Sequence, residues 1–121
     1  MIITNSKDVP VVEQTESNDP IVGKGPVKRK ELISSKDTGG FNALLVSFPP
    51  GARLKFHTHT FEQILYVTEG KGIVATRDAE HIVTPGAVVY IAPGEVHWHG
   101  AVKDSSFAHI CIQKPGIKLA E

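Results

Sequence analysis

From residue 27 onward the chain is cut into short apolar runs, each closed by Gly, Pro or Asp, and nowhere do apolar residues recur at the spacing of an amphipathic helix. This pattern excludes helical bundles. It also excludes parallel sheets, because no segment is long enough to serve as the crossover that parallel neighbours need. Strands are expected at residues 27–33, 42–48, 54–59, 63–68, 72–76, 81–83, 88–91, 97–102 and 107–113. Turn residues separate them, among them Gly39-Gly40, Pro49-Pro50-Gly51, Pro85-Gly86 and Pro93-Gly94. Short strands at even spacing point to an all-β antiparallel sandwich or barrel, with a jelly roll as the leading form.

With 121 residues, 40% of them hydrophobic, the chain has material for one core and no second domain. Residues 27–121 are read as a single barrel domain. Residues 1–26 are polar and broken by Pro10, Pro20 and Pro26, and are read as an extended N-terminal arm. Such an arm either frays or adds an edge strand to its own or a neighbouring subunit's sheet. Thirteen basic and thirteen acidic residues cancel, which argues against nucleic acid or an anionic membrane surface as partner. No run reaches the roughly 18 apolar residues of a membrane span, and the opening MIITNSKDVP lacks the pattern of a secretory leader. A cytoplasmic protein is expected. The one cysteine, Cys111, has no internal disulfide partner, so packing or a metal must hold the fold.

Six histidines carry the chemistry: His57, His59, His81, His97, His99 and His109. In a strand, the i, i+2 spacing of His57 and His59 puts both imidazoles on one face, which is what a single metal ion asks of two ligands. An isolated pair of this kind also suits a surface strand. Gln63 opens the next strand, where a tight turn returns its side chain toward the same point, and His97 arrives from a distant strand after the Pro93-Gly94 turn. Glu62 is the alternative to Gln63, but a one-residue shift in a strand turns the side chain to the opposite face. His99 follows His97 on the same face. His109, Cys111 and Gln113 share one face of the last strand, with Ile110 and Ile112 on the other. Trp98 is expected on the outer face and His81 at the surface.

The segment GARLKFHTHTFEQILYVTEG resembles the first cupin motif, from Gly51 through His57 and His59 to Gly70, and GAVVYIAPGEVHWHGA resembles the second, from Gly86 to His97. The resemblance implies a cupin double-stranded β-helix, an antiparallel jelly-roll barrel. Gln63 stands where cupins usually carry a ligand glutamate, while Ala92 and Ala101 replace a proline and an asparagine of structural use. His57, His59, Gln63 and His97, together with His99, His109 and Gln113, are similar to the site of the manganese-dependent cupin hydroxynitrile lyases. In that branch three histidines and the glutamine bind the metal. The resemblance implies His57, His59, Gln63 and His97 as ligands, His99 and His109 as proton-transfer residues, and Gln113 as a substrate-binding residue. The reaction implied is reversible addition of cyanide to an aldehyde.

A shell of three imidazoles and an amide leaves a divalent ion its full charge. Such an ion is a stronger Lewis acid than one with a carboxylate ligand, and a ferric state is less favoured. The expectation is a metal-dependent lyase on a small oxygenated compound, using one divalent transition metal. Manganese comes first, with iron, nickel and zinc compatible with the same ligands. A dioxygenase of the quercetinase kind and a non-catalytic ligand or metal sensor are the competing readings. A homodimer is expected, because an open barrel leaves sheet edges to cover.

Overall fold

The computed structural model describes all 121 residues. The first strands are β1 (Val12–Gln14), β2 (Val22–Lys24), β3 (Val27–Ile33), β4 (Asn42–Phe48), β5 (Arg53–Leu54) and β6 (His57–His59). They are followed by β7 (Gln63–Gly70), β8 (Gly72–Ala75), β9 (Glu80–Val83) and β10 (Val88–Ile91). The last are β11 (Trp98–Ala101), β12 (Phe107–Gln113) and β13 (Ile117–Leu119). Helix is confined to single turns at Ser6–Asp8 and Ser35–Thr38. The second is capped by the Ser34 hydroxyl and stopped by Gly39 in the left-handed conformation.

Every strand pair is antiparallel. A six-stranded sheet runs β1-β3-β4-β12-β7-β10, a five-stranded sheet runs β2-β5-β11-β8-β9, and β13 pairs with β6. The non-sequential order, with β12 between β4 and β7, is that of a jelly roll, as the sequence led us to expect. Alternation decides the packing. In β4, Asn42, Leu44, Val46 and Phe48 point inward and are buried. In β7, Gln63, Leu65 and Val67 do the same, while Ile64 and Tyr66 face out. The inner faces meet in a core that includes Val22, Val27, Leu54, Val74 and Phe107. Gly100 lets β11 and β5 close together, since a Cβ there would stand 2.6 Å from the Ala52 carbonyl oxygen.

The first 26 residues join both sheets. β1 lies beside β3 at the edge of the larger sheet and β2 beside β5 at the edge of the smaller. Val22 is fully buried in the core. The expected strand at 54–59 is divided. β5 pairs with β2 and β11, then the chain changes partner at Lys55, whose N–H donates to the Ile21 carbonyl, and β6 pairs with β13. That β13 follows residue 113 was not foreseen, because IKL is too short to show alternation.

Candidate metal centre

Four strand segments bring seven polar side chains, His57, His59, Gln63, His97, His99, His109 and Gln113, together in the barrel interior. The segments around His57 and His97 are locked together by a reciprocal pair of backbone bonds, His57 N–H to the His97 carbonyl at 2.9 Å and His97 N–H to the His57 carbonyl at 3.1 Å. Their rings lie 4.3 Å apart between centroids, and the ring of His59 stands 5.0 Å from that of His57. The ligand atoms of His57, His59 and His97 all fall within 4.8 Å of one another. All three residues are buried.

The hydrogen bonds fix which nitrogens remain free. His57 Nδ1 lies 2.7 Å from the Lys55 carbonyl and His97 Nδ1 lies 2.9 Å from the Glu95 carbonyl. A carbonyl only accepts, so both rings carry their proton on Nδ1 and present a lone pair at Nε2. His57 Nε2 and both nitrogens of His59 are buried without a hydrogen-bond partner. Burial, helped by the neighbouring His97, lowers His57 to about 3. Burial and then His97 lower His59 to about 4. His97 is also lowered, chiefly by burial. Neutral imidazole is the ligand form, and all three rings hold it at neutral pH.

Gln63 completes the group. Its Nε2 donates to Gln113 Oε1 and to Cys111 Sγ, each at 2.9 Å, which leaves Oε1 aimed inward, 3.2 Å from His97 Nε2. Two acceptors thus face each other in a buried space. This arrangement is unfavourable unless a cation lies between them, and it fits a divalent ion held by His57, His59, Gln63 and His97. Glu62 is exposed and accepts from the Tyr90 hydroxyl at 3.2 Å, outside the barrel.

Next to the triad, His109 Nε2 and His99 Nδ1 are hydrogen-bonded at 3.0 Å. The His99 ring stands 5.4 Å from that of His57 and is nearly parallel to that of His97. Both residues are buried, and His99 Nε2 and His109 Nδ1 have no partner. Burial drives His109 down to about 3, and burial with the adjacent His109 drives His99 well below its usual range. The two therefore form a neutral pair in which one ring donates to the other, so that one outer nitrogen keeps a lone pair and the other carries a proton. Burial pushes the Cys111 thiol up to about 11, so it is a packing group and an acceptor for Gln63, not a nucleophile.

A cavity of about 70 Å³ adjoins these residues, lined also by Leu44, Val46 and Leu54 and by Gln14, Ile21, Arg29 and Ile117. Gln113 lines it, with its Oε1 engaged by Gln63. Gln14, Ile21, Arg29 and Ile117 come from β1, the residue before β2, β3 and β13, and no motif marked them. Arg29 had one available signal, the i, i+2 step from Val27 on the inner face. Outside the barrel, Trp98 is buried beneath the Arg53 guanidinium, 3.7 Å from its ring centre, and His81 is exposed.

A family model described as a cupin domain matches residues 44–113. An (R)-mandelonitrile lyase of Granulicella tundricola is 39% identical over 101 residues, covering 76% of each chain. A cupin-like protein of Thermotoga maritima superposes with a TM-score of 0.79 at 34% identity, covering 84% of this chain and 80% of that one. The polyketide cyclase RemF of Streptomyces resistomycificus shares the fold, with a TM-score of 0.82 at 20% identity over 100% of this chain and 86% of its own.

Proposed function

The chain belongs to the cupin family, and from that premise we propose that it is a metal-dependent lyase acting on a small oxygenated compound, with hydroxynitrile cleavage as its model reaction. The observation that carries this reading is the pair of facing acceptors, Gln63 Oε1 and His97 Nε2 at 3.2 Å, inside a triad of neutral histidines. His57, His59, Gln63 and His97 hold one divalent ion, manganese first among the candidates. When bound, the ion supplies Lewis acidity to a substrate oxygen.

The rest is done by the protein. The buried wall of Leu44, Val46 and Leu54 keeps water from the reacting carbon and orients the apolar part of the substrate. Whichever of His99 Nε2 and His109 Nδ1 keeps its lone pair takes the hydroxyl proton as the neighbouring carbon–carbon bond breaks, and returns it to the departing anion. The relative from Granulicella is named for a cyanohydrin, mandelonitrile, which has this hydroxyl and this bond.

The test is metal content of the purified protein beside Gln63→Ala and His97→Ala, followed by cyanohydrin cleavage and oxygen consumption with the ion found. One transition metal per chain, lost in His97→Ala and weakened in Gln63→Ala, is expected. His99→Ala and His109→Ala should each slow cleavage by about a hundredfold or more with metal content unchanged. Turnover unaffected by either removes the proton role, and oxygen uptake coupled to substrate loss replaces the lyase with an oxygenase.

A second copy of the chain is the proposed partner. Ile64 and Tyr66 on β7, Val88 and Tyr90 on β10 and Ile112 on β12 are in direct register and exposed, forming one apolar patch on the outer face of the larger sheet.

A further inference from the structure

We infer that Arg29 anchors the carboxylate of the substrate, so that the cavity takes a small 2-hydroxy or 2-oxo acid, its carboxylate at Arg29 and its second oxygen toward the histidine triad. Arg29 is half-buried on the inner face of β3. Across the sheet it is in register with Val46, and Val46 with His109, so Arg29, Val46 and His109 form one row along the cavity wall. Of the fourteen residues lining the cavity, Arg29 is the only one with a fixed positive charge and none is acidic. Glu31, two residues further along β3, is exposed and outside the lining.

Charge makes the argument. Apart from Arg29 the polar lining consists of imidazole, amide and thiol groups, with no carboxylate to offset a cation. A guanidinium lining such a cavity, with no acid in the wall, lacks the anion that its planar fork fits best. With a divalent ion at the triad, the space would be bordered by two positive centres. An anion with two oxygen groups satisfies both, whereas a neutral cyanohydrin leaves the guanidinium without an anion. The cavity volume, about 70 Å³, restricts the ligand to a few non-hydrogen atoms. This deepens the lyase reading and rests on it for the position of the second oxygen; Arg29 keeps its charge whether or not metal is bound.

The experiment is calorimetric titration of glycolate and of uncharged glycolamide, at fixed ionic strength, into metal-free protein and into protein loaded with manganese. Each is done for the native chain, Arg29→Gln and Arg29→Lys, with thermal melts to verify folding. The native protein should prefer glycolate by about tenfold or more in both forms. Arg29→Gln should abolish the preference and Arg29→Lys should keep part of it. Equal affinity for acid and amide in the native protein, a preference that persists in folded Arg29→Gln, or no glycolate binding at all overturns the assignment. Failure of manganese uptake counts against the lyase reading alone, because the acid-over-amide ratio of the metal-free protein still decides the role of Arg29.

Discussion

Gln63 and Gln113 are direct cross-strand partners on β7 and β12, and the amide of the first donates to the carbonyl oxygen of the second at 2.9 Å. A free glutamine amide presents either its oxygen or its nitrogen. Here the acceptor on Gln113 determines that the nitrogen turns away and the oxygen faces His97. The bond sets the polarity of the candidate ligand.

Replacing Gln113 with Leu removes that acceptor and leaves the Gln63 amide steered by Cys111 alone. Metal affinity should drop by about tenfold, the lower end of what outer hydrogen bonds contribute to ligand orientation. Titration against a competing chelator measures it. An unchanged affinity in a folded variant means that Gln113 does not orient the ligand.

Gln63→Glu places a carboxylate where the neutral amide stood. A divalent ion should bind more tightly, and an iron- or manganese-loaded variant should have a lower reduction potential, since the added negative charge stabilises the oxidised ion. Voltammetry on both loaded proteins reads the shift; no shift would count against the neutral-shell argument.

Acid should unfold the metal-free protein early. His57 and His109 are held near 3 and His59 near 4 by burial, against 6.5 in the unfolded chain. With folded values below unfolded ones, the unfolded state binds more protons between pH 6.5 and about 3. The stability present above 6.5 is therefore lost as pH falls through that window. Each such histidine contributes a slope of up to about 1.4 kcal/mol per pH unit. Urea melts from pH 7 to pH 4 should show the midpoint falling steadily, and a flat midpoint would mean that these rings titrate normally.

Tyr66 and Tyr90 stand on neighbouring strands of the exposed apolar patch, about half exposed at 48% and 61%. Tyr66→Glu should convert a dimer into a monomer without touching the metal site, because Tyr66 points away from the barrel interior. Sedimentation velocity distinguishes the two. A native protein that sediments as a monomer ends the proposal for a second copy.

Much of the architecture was legible because it depends on local patterning. The runs at β3, β4, β10 and β12 begin and end where turn residues and alternation place them, and the period of two puts Gln63 inside and Glu62 outside. The stretch 54–59 reads as one strand in sequence yet forms two, since a change of pairing partner at Lys55 leaves no mark on hydrophobicity. β13 and the strands of the first 26 residues were too short to reveal alternation, and their places come from backbone pairing with distant segments.

The sequence by itself determined the antiparallel all-β class, the inward faces of the strands and the shared face of His57 and His59, because these follow from the two-residue period of extended chain. Tertiary structure alone decided the rest. Which nitrogen of each ring is free depends on carbonyls that the fold brings within reach, as with Glu95 beside His97. That His99 and His109 pair, and that Arg29 shares a cavity with them, depends on strand order, which sets residues far apart in sequence side by side.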